Sequence, residues 1–433
     1  MFAHTPPETA PVSHHDGGAQ QQAAPARSGL VWHARSRPLP AFPRRLVLLG
    51  ATGSIGTSSL QVAEALPDRL HVVGLSAHQH WHELFCLAER FRPRWLVVTD
   101  PDAWQAARGH AVPPGCQLLF GQEGIRQMVT APEVDMVVAG IVGAAGLPGT
   151  LAALEAGKVV ALANKETLVV AGELVARILQ CTQAVLLPID SEHSALFQLL
   201  QREDPCHVRR VILTASGGPF RNYQADQLVH VTSDQALAHP TWRMGRKISV
   251  DSATLMNKAL EVIEAHWLFG VSLEQIQVLI HPESIVHALV EMQDGTLLAH
   301  LSCPDMRLPI QYALTYPERL PGPARGLNVA DMTALHFEPP DTERFPALEL
   351  GYTAARKGGT AGAVLNAANE VAVSRFLSGS LRFVDIARVC GEVLGKHRVK
   401  YAPSLGDLLA ADRWARQEVA QWHSSSDSGP EPV

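Results

Sequence analysis

Between residues 44 and 190 a series of short apolar runs, "RRLVLLG", "LHVVGLSA", "WLVVTD", "VDMVVAGIVG", "KVVALAN" and "AVLLPID", alternates with segments of helical period such as "WHELFCLAERF" and "GTLAALEAG". Continuous rather than alternating apolar runs belong to strands covered on both faces. Strand–helix–strand repetition makes successive strands parallel, with helices on both sides of the sheet. The chain is therefore predicted to be α/β, with an N-terminal Rossmann-like parallel sheet over 44–190. After residue 190 the pattern changes. Strand-like "RRVILTA", a helix expected over about 252–268, and the strands "IVHALVEMQDG" and "TLLAHLS" predict a central α+β domain with an antiparallel sheet over 191–315. Pro317, Pro321, Pro323, Pro339 and Pro340 mark 316–341 as a linker, and the Ala-rich pattern of 342–424 predicts a C-terminal helical domain. Residues 1–43, rich in Ala, Pro, His and Gln, and the tail 425–433 read as disordered.

Composition narrows the function classes. With 36 basic against 42 acidic residues, a net charge of −6 and no Lys/Arg-rich run, the chain has no electrostatic footprint for nucleic acid or an anionic membrane. Its expected partner is a small molecule. The six cysteines form no CxxC pair, which argues against a zinc ribbon, a redox pair or a disulfide framework and fits reduced thiols in cytoplasm. "MVVAGIVGAAGLPGTLAAL" is long and uncharged enough for a membrane span. Its four glycines and its proline fit a strand, a tight loop and a helix start better. No secretory h-region is present, and the first 40 residues meet the criteria of an organelle transit peptide only weakly.

Several clusters carry chemistry. Gly50, Gly53 and Gly56 in "GATGSIG" follow a strand and open a helix, the setting in which backbone amides receive a pyrophosphate. The second strand ends in "SAHQHW", where Ser76, His78, Gln79 and His80 stand in place of the acid that binds a 2′-hydroxyl or the base that binds a 2′-phosphate. Cofactor choice stays open on these residues. Lys165 and Glu166 follow a buried strand, at the sheet edge where ligands bind. Asp190 and Glu192, beyond the apolar "LLPI", could present two carboxylates to one divalent cation; as an unpaired buried cluster they would be costly. In "DSATLMNKALEVIEAHW", Asn257 and Lys258 stand one helical turn before Glu261, either as an ion pair or as a third metal ligand with polar neighbours. Ser252 reads as a helix cap or a phosphate ligand. Ser216 and two glycines open a loop over 216–246 that contains His239, Trp242 and Met244 and suits a water-excluding lid. His281 and His287 read as structural, and His193 has no evident role.

Taken together, "GATGSIGTSSL", "LANKETLV", "IDSEHSALFQ", "TASGGPFR", "HPTWRMGRKISVDSATLMNKALEVIEAHWLF", "HPESIVHALVEMQDG" and "NAANEVAV", in this order, resemble the 1-deoxy-D-xylulose 5-phosphate reductoisomerase family. The resemblance implies rearrangement of that sugar phosphate and NADPH-dependent reduction to 2-C-methyl-D-erythritol 4-phosphate, a step of non-mevalonate isoprenoid biosynthesis. It also implies a cytoplasmic homodimer of V-shaped subunits. Asp190, Glu192 and Glu261 would bind Mg2+ or Mn2+. Ser216, Ser252, Asn257 and Lys258 would hold the phosphate, while Lys165, Ser191 and His239 would contact the substrate's hydroxyl and carbonyl region. Trp242 would cover the ligand. Gly50, Thr52, Gly53, Ser54, Ile55, Gln79, His80, Asn164, Glu166, Met244 and Gly245 would line the cofactor. Lys165, Asp190, Glu192, His239 and Glu261 would form the catalytic set. The sequence departs from the family after the second strand, where Gln79 and His80 replace the basic residue and Asn that grip a 2′-phosphate.

Overall fold

The computed structural model describes residues 29–423 except Arg243 and Thr333. The expected disordered segments at 1–28 and 425–433 lie outside the described residues. Residues 29–43, expected to belong to the first of these, are ordered instead. A 3-10 turn (Leu30–Trp32) and the short helix α1 (His33–Ser36) bury Leu30, Val31 and Ala34. Arg37 donates to the carbonyls of Leu179 (2.5 Å) and Ala184. A few apolar anchors and two guanidinium contacts order this segment, and neither leaves a helical period in the sequence.

The alternating runs form β1 (Arg44–Leu49), α2 (Ser54–Ala65), β2 (Leu70–Ala77), α3 (Trp81–Phe91), β3 (Trp95–Val98), α4 (Pro101–Ala107), β4 (Gln117–Phe120), α5 (Gly121–Thr130), β5 (Met136–Ala139), α6 (Leu147–Glu155), β6 (Val159–Leu162), α7 (Glu166–Cys181) and β7 (Val185–Pro188). The seven strands are ordered β4-β3-β2-β1-β5-β6-β7, and every pairing is parallel. Order reverses between β1 and β5. There the loops leaving the two strands splay apart and open a crevice at the carboxyl edge. β3 and β5 to β7 are buried along their whole length, which is why they read as unbroken apolar runs. Edge strand β4 is half exposed and left no such signal.

The chain then runs through α8 (Ser191–Leu199), β8 (Val208–Ala215), α9 (Ala225–Leu228), α10 (Ser233–Leu237), α11 (Arg246–Thr254), α12 (Met256–Phe269), β9 (Ile276–Ile280), β10 (Val286–Met292), β11 (Leu297–Leu301) and α13 (Arg307–Thr315). The second sheet, β11-β10-β8-β9, is mixed rather than antiparallel, because β8 and β9 pair in parallel across the α11–α12 crossover. The expected single helix over 252–268 is two helices. Leu255 takes a left-handed conformation (φ 62°) that ends α11 and starts α12. The 216–246 loop holds two short capped helices.

Helices α14 (Ala347–Lys357), α15 (Ala361–Leu377), α16 (Phe383–Lys396) and α17 (Leu405–Gln421) form the C-terminal layer. α15 meets α7 at backbone distance: a Cβ on Gly362 would lie 2.0 Å from the Val169 carbonyl oxygen. No described helix is long and apolar enough to cross a membrane. Leu30→Ala removes a side chain only 4% exposed from the wall formed by the N-terminal segment. It is expected to cost about 2–4 kcal/mol, seen as a lower denaturation midpoint with turnover per folded molecule retained.

Candidate active site

A cavity of about 450 Å³ lies where the crevice of the parallel sheet meets α8, α11 and α12. On the sheet side, β1 ends in a turn in which Gly50 has φ 81° and its amide donates to the Ser76 hydroxyl (3.1 Å). A Cβ on Gly56 would sit 2.4 Å from the Gly50 carbonyl oxygen, so only glycine allows α2 to start this close to the strand. Gly53, Ser54, Ile55, Asn164, Glu166, Met244 and Gly245 line this end of the cavity. Gln79 and His80 do not line it; they stand at the end of β2. The Asn164 carboxamide is committed to the protein, donating to the Gly143 carbonyl (2.9 Å) and accepting from the Thr167 amide (3.0 Å). It thus braces the loop that leaves β5.

The opposite end is ionic. Strand β7 stops at Pro188 and α8 begins at Ser191, so Asp190 and Glu192 are not strand neighbours sharing a direction. Asp190 is the N-terminal flank of a helix and Glu192 lies in its first turn. The chain turns at this point, which brings Ser191 into the cavity as well. From α12 comes Glu261, with its side chain fully buried. Lys165 bridges Asp190 (2.7 Å) and Glu261 (2.9 Å). Lys258 bridges Glu192 (2.6 Å) and the second oxygen of Glu261, and Asn257 donates to Glu261 (2.6 Å). Lys258 to Glu261 is therefore an ion pair within the cluster, as the spacing allowed. Burial alone would lower the Lys165 ammonium, but Asp190 and Glu261 hold it well above its usual range. Burial would likewise raise Asp190, but Lys165 and His193 keep its carboxyl well below that range. Burial, followed by the charges of Asp190 and Glu192, pushes Glu261 up.

Ligand-capable oxygens of Asp190, Glu192 and Glu261 all lie within 4.8 Å of one another. The three carboxylates outnumber the two ammoniums, leaving one negative charge, and Asp190 Oδ1 is buried without a hydrogen-bond partner. A hard, all-oxygen set of this kind fits Mg2+ or Mn2+.

Behind the cluster stands a feature that the sequence left unexplained. His193 Nδ1 lies 3.3 Å from Asp190 Oδ1 and 3.1 Å from Glu264 Oε2, and its Nε2 bonds the Glu261 carbonyl (3.0 Å). Burial disfavours the imidazolium, yet Glu264 and Asp190 raise its pKa well above the usual value. Glu264 follows Glu261 by three residues on one helix, a spacing that could have flagged it.

The remaining candidates gather beside this charge. His239 Nε2 meets Ser216 Oγ (3.0 Å) and Ser252 Oγ (3.2 Å), while its Nδ1 accepts the backbone amides of Thr241 (3.2 Å) and Trp242 (2.9 Å). Those amides make Nδ1 the acceptor and leave the proton on Nε2. Burial lowers the ring's pKa, in the direction of the neutral form. Ser252 lies in the last turn of α11 rather than near a helix start, so it caps nothing; the break at Leu255 brings it onto the same cavity as Asn257 and Lys258. Trp242 lines the same cavity, with its ring 6.3 Å from that of His287.

One buried network escaped the sequence reading. Lys247, just past the 216–246 loop, reaches Glu166 (2.8 Å) and Asp251 (2.9 Å), and Asn369 of "NAANEVAV" donates to Asp251 (2.7 Å). The start of α11 is thereby tied to α7 and to α15.

Models of the family match along the chain: "1-deoxy-D-xylulose 5-phosphate reductoisomerase" over residues 46–172, its C-terminal domain over 186–269, and "DXP reductoisomerase C-terminal domain" over 301–418. The enzyme of that name from Symbiobacterium thermophilum is 52% identical over 380 residues, 87% of this chain and 98% of the relative. That from Pelotomaculum thermopropionicum is 50% identical over 374 residues, 86% and 97%. The chain belongs to the 1-deoxy-D-xylulose 5-phosphate reductoisomerase family. A solved reductoisomerase from Zymomonas mobilis in complex with NADPH superposes with a TM-score of 0.82 at 41% identity, covering 87% of this chain and 98% of the other. A reductoisomerase solved with NADPH, fosmidomycin and magnesium gives 0.82 at 39%, covering 87% and 97%.

Lys247→Met would strand Glu166 and Asp251 without their cation. It is expected to cost about 3–5 kcal/mol of unfolding free energy, and the second change Asp251→Asn should restore most of it in the same denaturant titration.

Proposed function

We infer that this protein is a reductoisomerase that rearranges 1-deoxy-D-xylulose 5-phosphate and reduces the product with NADPH to 2-C-methyl-D-erythritol 4-phosphate. The observation that carries the reading is the three-carboxylate, two-lysine cluster opening onto a glycine-rich dinucleotide turn within one cavity. Asp190, Glu192 and Glu261 would hold a divalent cation. Bound there, Mg2+ or Mn2+ supplies Lewis-acid polarisation of the substrate's adjacent oxygens. Gly53, Ser54, Ile55, Asn164, Met244 and Gly245 would hold NADPH, which when bound would supply hydride.

The protein's own groups do the positioning. Ser216, Ser252, Asn257 and Lys258 bind the phosphate and direct its binding energy to orienting the reacting carbons. His239 keeps a proton on Nε2 and donates it as a hydrogen bond toward whichever oxygen lies between Ser216 and Ser252. Lys165 and Ser191 flank the carbonyl end, and Lys165 stays charged because two carboxylates face it. Trp242 excludes water when the lid closes. Placing Asn257 and Lys258 of the phosphate grip one turn before the cation ligand Glu261 on α12 ties the two ends of the substrate site to one helix.

We propose a homodimer in cytoplasm. Edge strand β11 leaves Leu297 and Leu301 54% and 37% exposed, a state that native edges seldom leave uncovered and that a second copy would bury. Light scattering should give twice the chain mass; a monomer would overturn the dimer. Purified protein should oxidise NADPH only when both the sugar phosphate and a divalent metal are present. Glu261→Gln should lower kcat about a hundredfold to a thousandfold and weaken manganese binding measured by calorimetry. Unchanged turnover and metal affinity would sink the reading.

A further inference from the structure

The motif "NAANEVAV" on α15 holds three polar side chains, Asn366, Asn369 and Glu370. Asn369 belongs to the network at the start of α11, but Glu370 reaches a different place, the loop that leaves β5. That loop, residues 140–146, starts where the strand order reverses, and its Gly140, Ile141 and Val142 form one wall of the cavity. Val142 is 66% exposed, so packing does little to fix its place in that wall.

Hydrogen bonds hold the loop instead. From one side, Asn164 donates to the carbonyls of Ile141 and Gly143, at 2.9 Å for Gly143. From the other, Glu370 Oε1 accepts the Ala144 amide (3.3 Å). Gly143 permits this approach: it has φ 76°, and a Cβ there would lie 2.7 Å from Glu370 Oε1. Glu370 is held in turn. Asn366, one turn earlier on α15, donates to the same oxygen (3.0 Å), and Arg416 of α17 donates to Oε2 (2.5 Å) while also bonding Asp412 (2.7 Å). Burial would lower the Arg416 guanidinium, but Asp412 and Glu370 hold it above its usual range. A chain of charge-assisted bonds therefore runs from α17 through α15 to the cavity wall. Glu370 and Arg416 lie outside the lining of that cavity, so they can act on a bound molecule only through the loop.

We propose that Glu370 is a positioning residue for the dinucleotide: its carboxylate, fixed by Arg416, holds the Ala144 amide and so sets the 140–146 wall against which the cofactor lies. A wall loop left free would have to be ordered each time the ligand binds, and that cost weakens affinity. An acceptor already in place removes the ordering from the binding step. The effect falls on binding of the nucleotide rather than on the chemical step, because no atom of Glu370 or Arg416 lines the site. The C-terminal helices thus contribute to cofactor affinity without touching the cofactor. The inference rests on the dinucleotide reading given under the proposed function.

The test measures three quantities on the full-length protein: NADPH binding by nicotinamide fluorescence, Mn2+ binding by calorimetry, and KM and kcat for NADPH. Glu370→Ala removes the acceptor and should raise Kd and KM for NADPH about fivefold to tenfold. Its kcat at saturating NADPH and its Mn2+ affinity should stay within about twofold of wild type. Glu370→Gln keeps an acceptor for the Ala144 amide and should bring Kd back to within about twofold of wild type. Should Glu370→Ala fail to fold, Arg416→Met, at a side chain 35% exposed, reads the same link; it should raise the NADPH Kd about threefold. An NADPH Kd unchanged in Glu370→Ala, or in Arg416→Met where that variant stands in, overturns the proposal, whatever happens to the denaturation midpoint. So does an equal loss of affinity in Glu370→Gln and Glu370→Ala, or a fall in kcat with KM unchanged. Wild-type protein that binds no NADPH overturns the dinucleotide reading and the proposal with it; wild-type binding with unaffected variants overturns the proposal alone.

Discussion

Glu261 is where the molecule's electrostatics and architecture meet. Its carboxylate is fully buried, and an isolated charge in that position would be prohibitive. It is tolerated because Lys165 comes from the loop after β6, Lys258 from one turn earlier on α12, and Asn257 from beside it. Asp190 and Glu192 arrive from the far end of β7 and are held by the same two ammoniums. Three separate segments must be correctly placed before any of these charges is compensated. The parallel sheet, the α8 start and the α11–α12 break are the means of that placement.

Much of this was legible in the sequence, for identifiable reasons. β3, β5, β6 and β7 are covered on both faces, so their apolar runs could hardly be anything else. The glycine turn announced itself through spacing, and the residues proposed to bind metal and phosphate lie in long motifs whose order matches one family. What stayed hidden depended on tertiary partners. Residues 29–43 are ordered by what they dock on, and β4, a half-exposed edge strand, has little apolar pattern to display. The left-handed Leu255 is a non-glycine residue in a glycine-favoured conformation, so nothing in "SATLMNK" marks the end of one helix and the start of another. That unseen break explains why Ser252 was read near a helix start.

His193 and "NAANEVAV" show a second kind of hidden information. Neither faces the cavity, yet each holds something that does. His193 sits between Asp190 and Glu264, and Asn369 reaches Asp251, which pairs with Lys247 at the start of α11. Polar residues at zero exposure carry no periodic signature, and the partners Glu264 and Asp251 lie 71 and 118 residues away in the chain. The C-terminal helices therefore do more than pack against the rest of the chain: through α15 they share a buried hydrogen-bond network with the start of α11.

The stacking of rings behind the site gives the N-terminal segment an unexpected reach. Trp32 packs 6.0 Å from Phe269, and Phe269 lies nearly parallel to the imidazole of His193 at 6.3 Å. Only two aromatic layers separate the segment before β1 from the carboxylate at the head of α8. A shortened chain beginning at the first strand would retain every ionisable group of the centre, yet it would lose the indole that packs on Phe269 and so uncover the ring that backs His193.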